Sequence, residues 1–180
     1  MAVENVVAEK ETVKLTVKLK LLGISAVDQE RLDRTGREYI VAFNTVSEVG
    51  WEERRINANE LHKRTYYPLR ERLALPSQLV QSARNKAVEA MKSARTLEGS
   101  RPEMKRPSIR YDARTYTLDW KNATVSPTAV GGKRVQTSFK FDKHSKKFKG
   151  LKTRSADLVR TKRAWFLHVV VEKEVEDAIP

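Results

Sequence analysis

The sequence predicts an α+β fold in which a small β-barrel is interrupted after its first strand by an α-helical insertion. Three observations lead to this prediction. Residues 12–21 alternate like a strand, residues 28–95 have helical periodicity, and residues 108–175 return to short segments of strand character. A lone first strand would be an exposed apolar edge, so we expect the late strands to return and pair with it.

The first predicted strand is amphipathic. One face is apolar and the other is mostly lysine, which is typical of a half-buried strand. The lysines either contact phosphates or only solubilise the strand and protect an edge, and both interpretations stay open. The apolar face is Val13, Leu15, Val17, Leu19 and Leu21, and the other face is Lys14, Thr16, Lys18 and Lys20.

Helices are expected over three stretches. Residues 28–49 form the first, weakened internally by Gly36, because glycine costs about 1 kcal/mol relative to alanine in a helix. Residues 61–73 form a second short helix, interrupted or begun at Pro68. The third follows Pro76, which suits a first helical turn.

The third helix has the clearest pattern. An apolar stripe recurs at three- and four-residue spacing, and long amide and cationic side chains lie off that stripe. Amides suit base edges and cations suit phosphates, so this helix is a candidate reader of nucleic acid. The polar residues are Gln78, Gln81, Arg84, Asn85, Lys92 and Arg95.

The second half of the chain changes character after residues 96–107, whose glycine and prolines predict a linker. Residues 108–110 and 115–120 flank the turn-prone segment YDAR and are expected to pair as a hairpin. Gly131-Gly132 predicts a turn between two further strands. Residues 163–175 are apolar on both faces, which predicts a central strand.

The charge is strongly basic and concentrated. The net charge is +13, and residues 121–163 carry thirteen lysines and arginines against two acids. This balance favours a polyanionic partner, most often nucleic acid, over a basic membrane-surface protein or a merely solvated face.

No apolar run approaches the ~20 residues that span a bilayer, and no signal peptide is recognised. With no cysteine, disulfides and cysteine-ligated zinc are excluded, which is compatible with a cytoplasmic, nucleoid-associated protein.

No catalytic centre, metal site or cofactor site is predicted. His62, His144 and His168 are not at metal-ligand spacing, although the first two could contact phosphate. Gly-rich phosphate loops, zinc-binding HExxH and nucleophile elbows are missing from the sequence. We therefore expect a binding protein without catalytic activity of its own.

Three segments carry a resemblance to a known family. YYPLRERLALPSQLVQSARNKAVEAMKS, SIRYDARTYTLDW and WFLHVVVEKEVE occur in that order. Together they resemble the N-terminal half of the TnpB family of OrfB-type, transposon-encoded, RNA-guided DNA nucleases related to type V CRISPR effectors. The resemblance implies an oligonucleotide-binding-type β-barrel, the wedge domain, over residues 12–24 and 105–177, with a helical recognition insertion over residues 25–104. It places residues 178–180 where a RuvC-type nuclease domain would start.

The resemblance also implies two nucleic-acid partners. The helical insertion would read a short transposon-adjacent motif in double-stranded DNA, and the barrel would hold structured guide RNA. The positions that match the DNA-reading region are Thr65, Tyr66, Ser77, Gln78, Gln81, Asn85, Arg110 and Tyr111. The candidates for RNA are Lys133, Arg134, Lys140, Lys143, Lys146, Lys147, Lys149, Lys152, Arg154 and Lys162.

Two other functions remain open at this point. The chain could be a fragment or split subunit that is active only with a separate RuvC-type nuclease domain. Alternatively, it could be a stand-alone RNA-binding regulator that competes with a full-length homologue.

Overall fold

The computed structural model describes residues 11–54 and 56–175, which form an α+β fold of three helices and seven strands. In chain order the elements are β1 (Glu11–Leu22), α1 (Ala26–Glu52), α2 (Ala58–Arg72), α3 (Ser77–Thr96), β2 (Ser108–Tyr111), β3 (Tyr116–Asp119), β4 (Thr124–Pro127), β5 (Thr137–Lys140), β6 (Lys152–Arg160) and β7 (Trp165–Val175). Short 3-10 turns cover Val130–Gly132 and Ser145–Phe148.

All seven strands belong to one antiparallel sheet, in the order β2-β6-β7-β1-β5-β4-β3. β1 lies at its middle. It pairs with β7 from Glu11↔Val175 to Lys20↔Phe166, and with β5 at Leu22↔Ser138. The return of the late strands to the first strand is therefore confirmed, as is the central position of β7.

The sheet curls into a nearly closed barrel. Its two edge strands, β2 and β3, are consecutive in the chain and are joined by residues 112–115. The rings of Tyr111 and Tyr116 lie 6.4 Å apart across this junction, and the Tyr111 hydroxyl donates to the Thr128 carbonyl at 2.8 Å. These contacts hold the two edges together without a ladder of backbone hydrogen bonds.

The predicted hairpin around YDAR is wrong. β2 pairs with β6, and β3 pairs with β4, so the segment connects two edges of the barrel and not two paired strands. The predicted turn itself is present, because the Asp112 carboxylate accepts the Arg114 backbone N–H at 2.9 Å. A turn signal alone does not specify which strands pair on either side of it.

α1 and α2 begin with side-chain caps. The Ser25 hydroxyl accepts the Asp28 N–H at 3.1 Å, and the Asn57 side-chain oxygen accepts the Asn59 N–H at 2.9 Å. α3 begins at Ser77 without a side-chain cap, so Pro76 lies one residue before the first turn in which it was expected. Pro68 lies inside α2, so the expectation that this helix is interrupted or begins there is wrong.

Within the predicted linker, residues 96–100 are exposed, whereas residues 102–107 pack along α1. Asn44 donates to the Met104 carbonyl at 3.1 Å and accepts its N–H at 2.8 Å. The Ser47 hydroxyl donates to the Pro102 carbonyl at 2.6 Å. This segment therefore ties the helices to the start of β2.

Gly36 has a packing role that helix propensity does not reveal. A Cβ atom at this position would lie 2.9 Å from the Cβ and Cγ atoms of Pro107 and 3.4 Å from the ring of Trp165. Trp165 is among the largest fully buried side chains. The glycine thus allows α1 to approach the barrel closely.

We expect Gly36→Ala to lower the free energy of unfolding by about 1–3 kcal/mol, because the added methyl overpacks a rigid proline ring. This loss should exceed the gain of about 1 kcal/mol in helix propensity. Urea denaturation measures the change. Ser93→Ala on the exposed surface of α3 is the control and should stay within about 0.5 kcal/mol. Stabilisation by Gly36→Ala would contradict the close approach.

Candidate nucleic-acid interface

A polar cleft lies between α3 and the connection from β2 to β3. The apolar stripe of α3 is buried against the core, which leaves Gln78 and Asn85 exposed and Gln81 half-buried on the other side of the helix. The cleft has a volume of about 160 Å³. Its lining residues are Gln78, Gln81, Ser82, Asn85, Glu89, Arg110, Tyr111, Asp112, Arg114, Thr115 and Ser155. The structure thus brings together five of the residues proposed for DNA reading.

Arg110 is half-buried in the wall of the cleft and is paired with carboxylates. Its Nη1 donates to both carboxylate oxygens of Glu89, at 2.7 and 2.9 Å, and its Nε lies 3.9 Å from Asp157. Burial by itself lowers the pKa of Arg110, but the hydrogen bond and charge of Glu89 raise it overall. Arg110 therefore forms part of the cleft wall, with its charge partly balanced by Glu89.

Two of the residues predicted to contact DNA are buried, and for them the prediction is wrong. Tyr111 is fully buried, and burial raises the pKa of its hydroxyl, which donates to Thr128. Thr65 is 3% exposed, and its hydroxyl donates to the Leu61 carbonyl at 2.7 Å. Leu61, Thr65 and Leu69 follow at four-residue spacing on the buried side of α2, a signal already present in the sequence.

Tyr66 and Ser77 do not line the cleft. Tyr66 is half-buried on α2, where its ring stacks on His62 at 4.4 Å and meets the exposed Tyr67 edge-on at 5.3 Å. The Ser77 hydroxyl donates to the side-chain oxygen of Gln78 at 3.1 Å. Both residues remain partly accessible outside the cleft.

Arg84 links the aromatic residues of α2 to Asn85 on α3, a role that the sequence did not predict. Its guanidinium contacts His62 Nδ1 at 2.7 Å and donates to the Asn85 side-chain oxygen at 2.9 and 3.1 Å. Burial and the charge of Arg84 lower the pKa of His62, which favours a neutral ring that accepts this hydrogen bond. With its oxygen occupied, Asn85 has its NH₂ group left to donate to a ligand.

A buried polar network fixes α3 on the barrel. Lys86 Nζ donates to the Ser108 carbonyl at 2.8 Å and to Asp157 at 3.0 Å. Ser82 donates to the Arg110 carbonyl at 2.7 Å and shares a 2.9 Å hydrogen bond with Tyr39. Burial lowers the pKa of Lys86 and raises that of Tyr39 to about 12. Because these bonds join α1, α3, β2 and β6, they set the width of the cleft.

The ten residues proposed for RNA are all exposed. Two of them are fixed by other groups: Arg154 pairs with Glu172 at 2.7 Å, and Arg134 donates to the carbonyls of Ser126 and Arg114 at 2.7 and 2.9 Å. Within residues 11–54 and 56–175, no other member of the set forms a salt bridge. The remaining eight are Lys133, Lys140, Lys143, Lys146, Lys147, Lys149, Lys152 and Lys162.

The lysine-rich loop between β5 and β6 is ordered by its aromatic residues. Phe148 is buried, and Lys147 lies over its ring at 5.0 Å. Lys149 lies 5.7 Å from the ring centroid of Phe141. At the start of the loop, the Asp142 carboxylate accepts the Ser145 N–H at 2.6 Å. The loop therefore presents its cations from a defined scaffold.

No cluster of three metal-ligating side chains occurs in the part of the chain that the structure describes. Nor is any helix there long and apolar enough to cross a membrane. The sequence matches no family model, and no characterised protein matches it significantly.

The Asp112 carboxylate orders the turn at the end of the cleft and should make its stability depend on pH. Burial raises the pKa of Asp112, but hydrogen bonds from Arg114 and Thr115 lower it overall. The stabilisation is therefore present above the unfolded pKa, about 4, and is lost as the pH falls through the lower folded value.

We expect Asp112→Asn to flatten the loss of unfolding free energy between pH 6 and pH 3, measured by urea denaturation at each pH. Glu48→Gln changes an exposed carboxylate on α1 and should leave the wild-type profile unchanged. Parallel profiles for wild type and Asp112→Asn would show that the carboxylate does not order the turn.

Proposed function

We propose that this chain is a nucleic-acid-binding module without catalytic activity, which holds structured RNA on its barrel and reads a short motif in duplex DNA with α3. The observation that carries the proposal is the exposed set of lysines on residues 133–162, of which none forms a salt bridge with a carboxylate in the described structure. Such a surface gains free energy when a polyanion replaces its counterions.

Recognition on the barrel would depend on backbone and shape. The lysines come from strand ends and from the loop between β5 and β6, which spreads them over an extended surface. The grooves of A-form RNA give side chains little access to base sequence, so shape, phosphates and 2′-hydroxyls are the features recognised. A structured RNA thus suits this surface better than a particular sequence does.

Recognition by α3 would depend on base edges. Gln78 and Gln81 present amides along one wall of the cleft, and such amides form paired hydrogen bonds with adenine in the major groove. Asn85 adds an NH₂ donor, because its oxygen is occupied by Arg84. Arg114 is exposed on the opposite wall, where it can meet a phosphate although it is paired with Asp112. This combination supports the reading of a few base pairs by α3.

The chain would serve as the binding half of an RNA-guided nuclease of the TnpB type. All three helices lie between β1 and β2, which supports a recognition insertion in an oligonucleotide-binding-type wedge barrel. In this proposal, guide RNA and duplex DNA are the partners, and cleavage belongs to a RuvC-type domain outside these residues.

Gln81→Ala should relax the sequence preference of the protein–RNA complex at one or two base pairs, by about 1–3 kcal/mol per position, because a base-edge hydrogen bond is lost. Selection from a randomised DNA duplex library measures the preference. Lys92→Ala, exposed elsewhere on α3, is the control and should leave the preference unchanged. An unaltered preference for Gln81→Ala would remove this residue from the reading set.

Lys146→Ala should weaken binding of a structured RNA and reduce the slope of log Kd against log salt by about 1, since one phosphate contact is lost. Fluorescence anisotropy at several salt concentrations gives the slope. Lys105→Ala changes an exposed cation outside the barrel lysines and should retain the wild-type slope. Wild-type binding that is indifferent to salt would contradict the proposed interface.

A further inference from the structure

The aromatic side chain of Phe166 is surrounded by lysines on the outer face of the barrel. Lys18 and Lys20 lie on β1, Lys140 on β5 and Phe166 on β7. In the sheet register, Lys20 is opposite Lys140 on one side and opposite Phe166 on the other. Lys162, in the turn before β7, completes the group. We call these five residues the Phe166 platform.

Two open surface pockets, with volumes of about 420 and 480 Å³, lie at the platform. Lys18, Lys20 and Phe166 line both of them. Lys162 lines the first, and Lys140 lines the second together with the partly exposed Phe141. The Phe166 ring is thus accessible from a basic groove that runs across three neighbouring strands.

The cations of the platform lack neutralising partners. Like charges directly opposite each other in a sheet are unfavourable, and Lys20 and Lys140 form such a pair. Within the described residues, neither lysine forms a salt bridge. Asp142 lines one pocket, but its carboxylate accepts the Ser145 N–H at 2.6 Å and so is directed into its own turn.

The Phe166 ring and Lys18 already form a pair. The Lys18 ammonium lies 4.4 Å from the ring centroid, close enough for a cation–π contact. The ammonium covers part of this ring face. A base that stacks on the ring would displace the ammonium, which would then meet the phosphate of the same nucleotide.

We propose that the Phe166 platform binds an unpaired segment of RNA, with one base stacked on the ring and the flanking phosphates on the lysines. Aromatic rings within a basic groove are the common means of binding single strands, because every base has a face that can stack. A base in a duplex already stacks on its neighbours and cannot do this. The inference rests on the proposed RNA-binding function and adds a single-stranded segment at a defined place.

The test compares two fluorescein-labelled probes on the full chain, a 12-nucleotide oligoadenylate and a 12-base-pair RNA duplex, by anisotropy. Phe166→Ala should weaken oligoadenylate binding by roughly 5- to 100-fold, the usual effect of losing one base–aromatic stack. Duplex binding should change by less than about 2-fold, because it depends on charge. Phe166→Tyr retains a stacking ring and should bind both probes as the wild type does.

A second variant controls for the possibility that Phe166→Ala fails to fold. Phe166→Leu keeps an apolar side chain on β7 but removes the aromatic face, so it should reproduce the loss for oligoadenylate. Urea denaturation of each variant verifies that the fold is intact. A crosslink between 4-thiouridine-labelled RNA and the peptide containing Phe166 would support the same contact independently of affinity.

Several results would overturn the inference. Oligoadenylate binding unchanged in both Phe166→Ala and Phe166→Leu would do so, as would equal losses for strand and duplex. Binding to vesicles of phosphatidylglycerol that depends on Phe166, with RNA binding independent of it, would assign the platform to a membrane surface. If duplex RNA still binds with salt dependence, the proposed function survives these outcomes. If neither RNA binds the wild type, the proposed function itself fails.

Discussion

The pairing of β1 with β7 and β5 is the constraint on which the rest of the structure depends. β1 precedes the three helices, and both of its partners follow them, so the sheet forms only when the chain returns across the helical stretch. Residues 24–107 are thereby anchored at both ends on one barrel. Gly36 against Pro107 and Lys86 with Asp157 then fix the helices on that barrel.

This arrangement sorts the cations into two classes. Lys86, Arg110 and Arg154 are held by carboxylates, and the first two join the helices to the sheet. The lysines of the β5–β6 loop and of the outer strand face have no such partners among the described residues. The first class maintains the geometry of the cleft beside α3, and the second forms the basic surface.

The sequence predicted those features whose signal is local or periodic. The alternation of residues 12–21 and the apolar stripe of α3 specified their elements, and an unpaired apolar edge was enough to predict the return of the late strands. The turn at residues 112–115 was recognised, but its neighbours were paired wrongly, because pairing depends on distant β6 and β4. Pairing partners across a barrel leave no signal in a short segment.

For the candidate site too, the sequence predicted the features that depend on local pattern and missed those that depend on distant contacts. The amides of α3 and the exposed barrel lysines follow from periodicity and charge. The burial of Thr65 and Tyr111, the role of Arg84 and the close packing at Gly36 depend on contacts between elements far apart in the chain. From the sequence, Lys18 and Lys20 could either contact phosphates or only solubilise the strand. Their position around Phe166 favours contact with phosphate.

We propose one structured RNA as the partner of the basic barrel. The most direct measurement is to purify the protein from the cell that encodes it and to sequence the RNA that copurifies. We expect strong enrichment of a single structured RNA that contains an unpaired segment. Recovery of bulk RNA in proportion to its cellular abundance, or of no RNA, would contradict it.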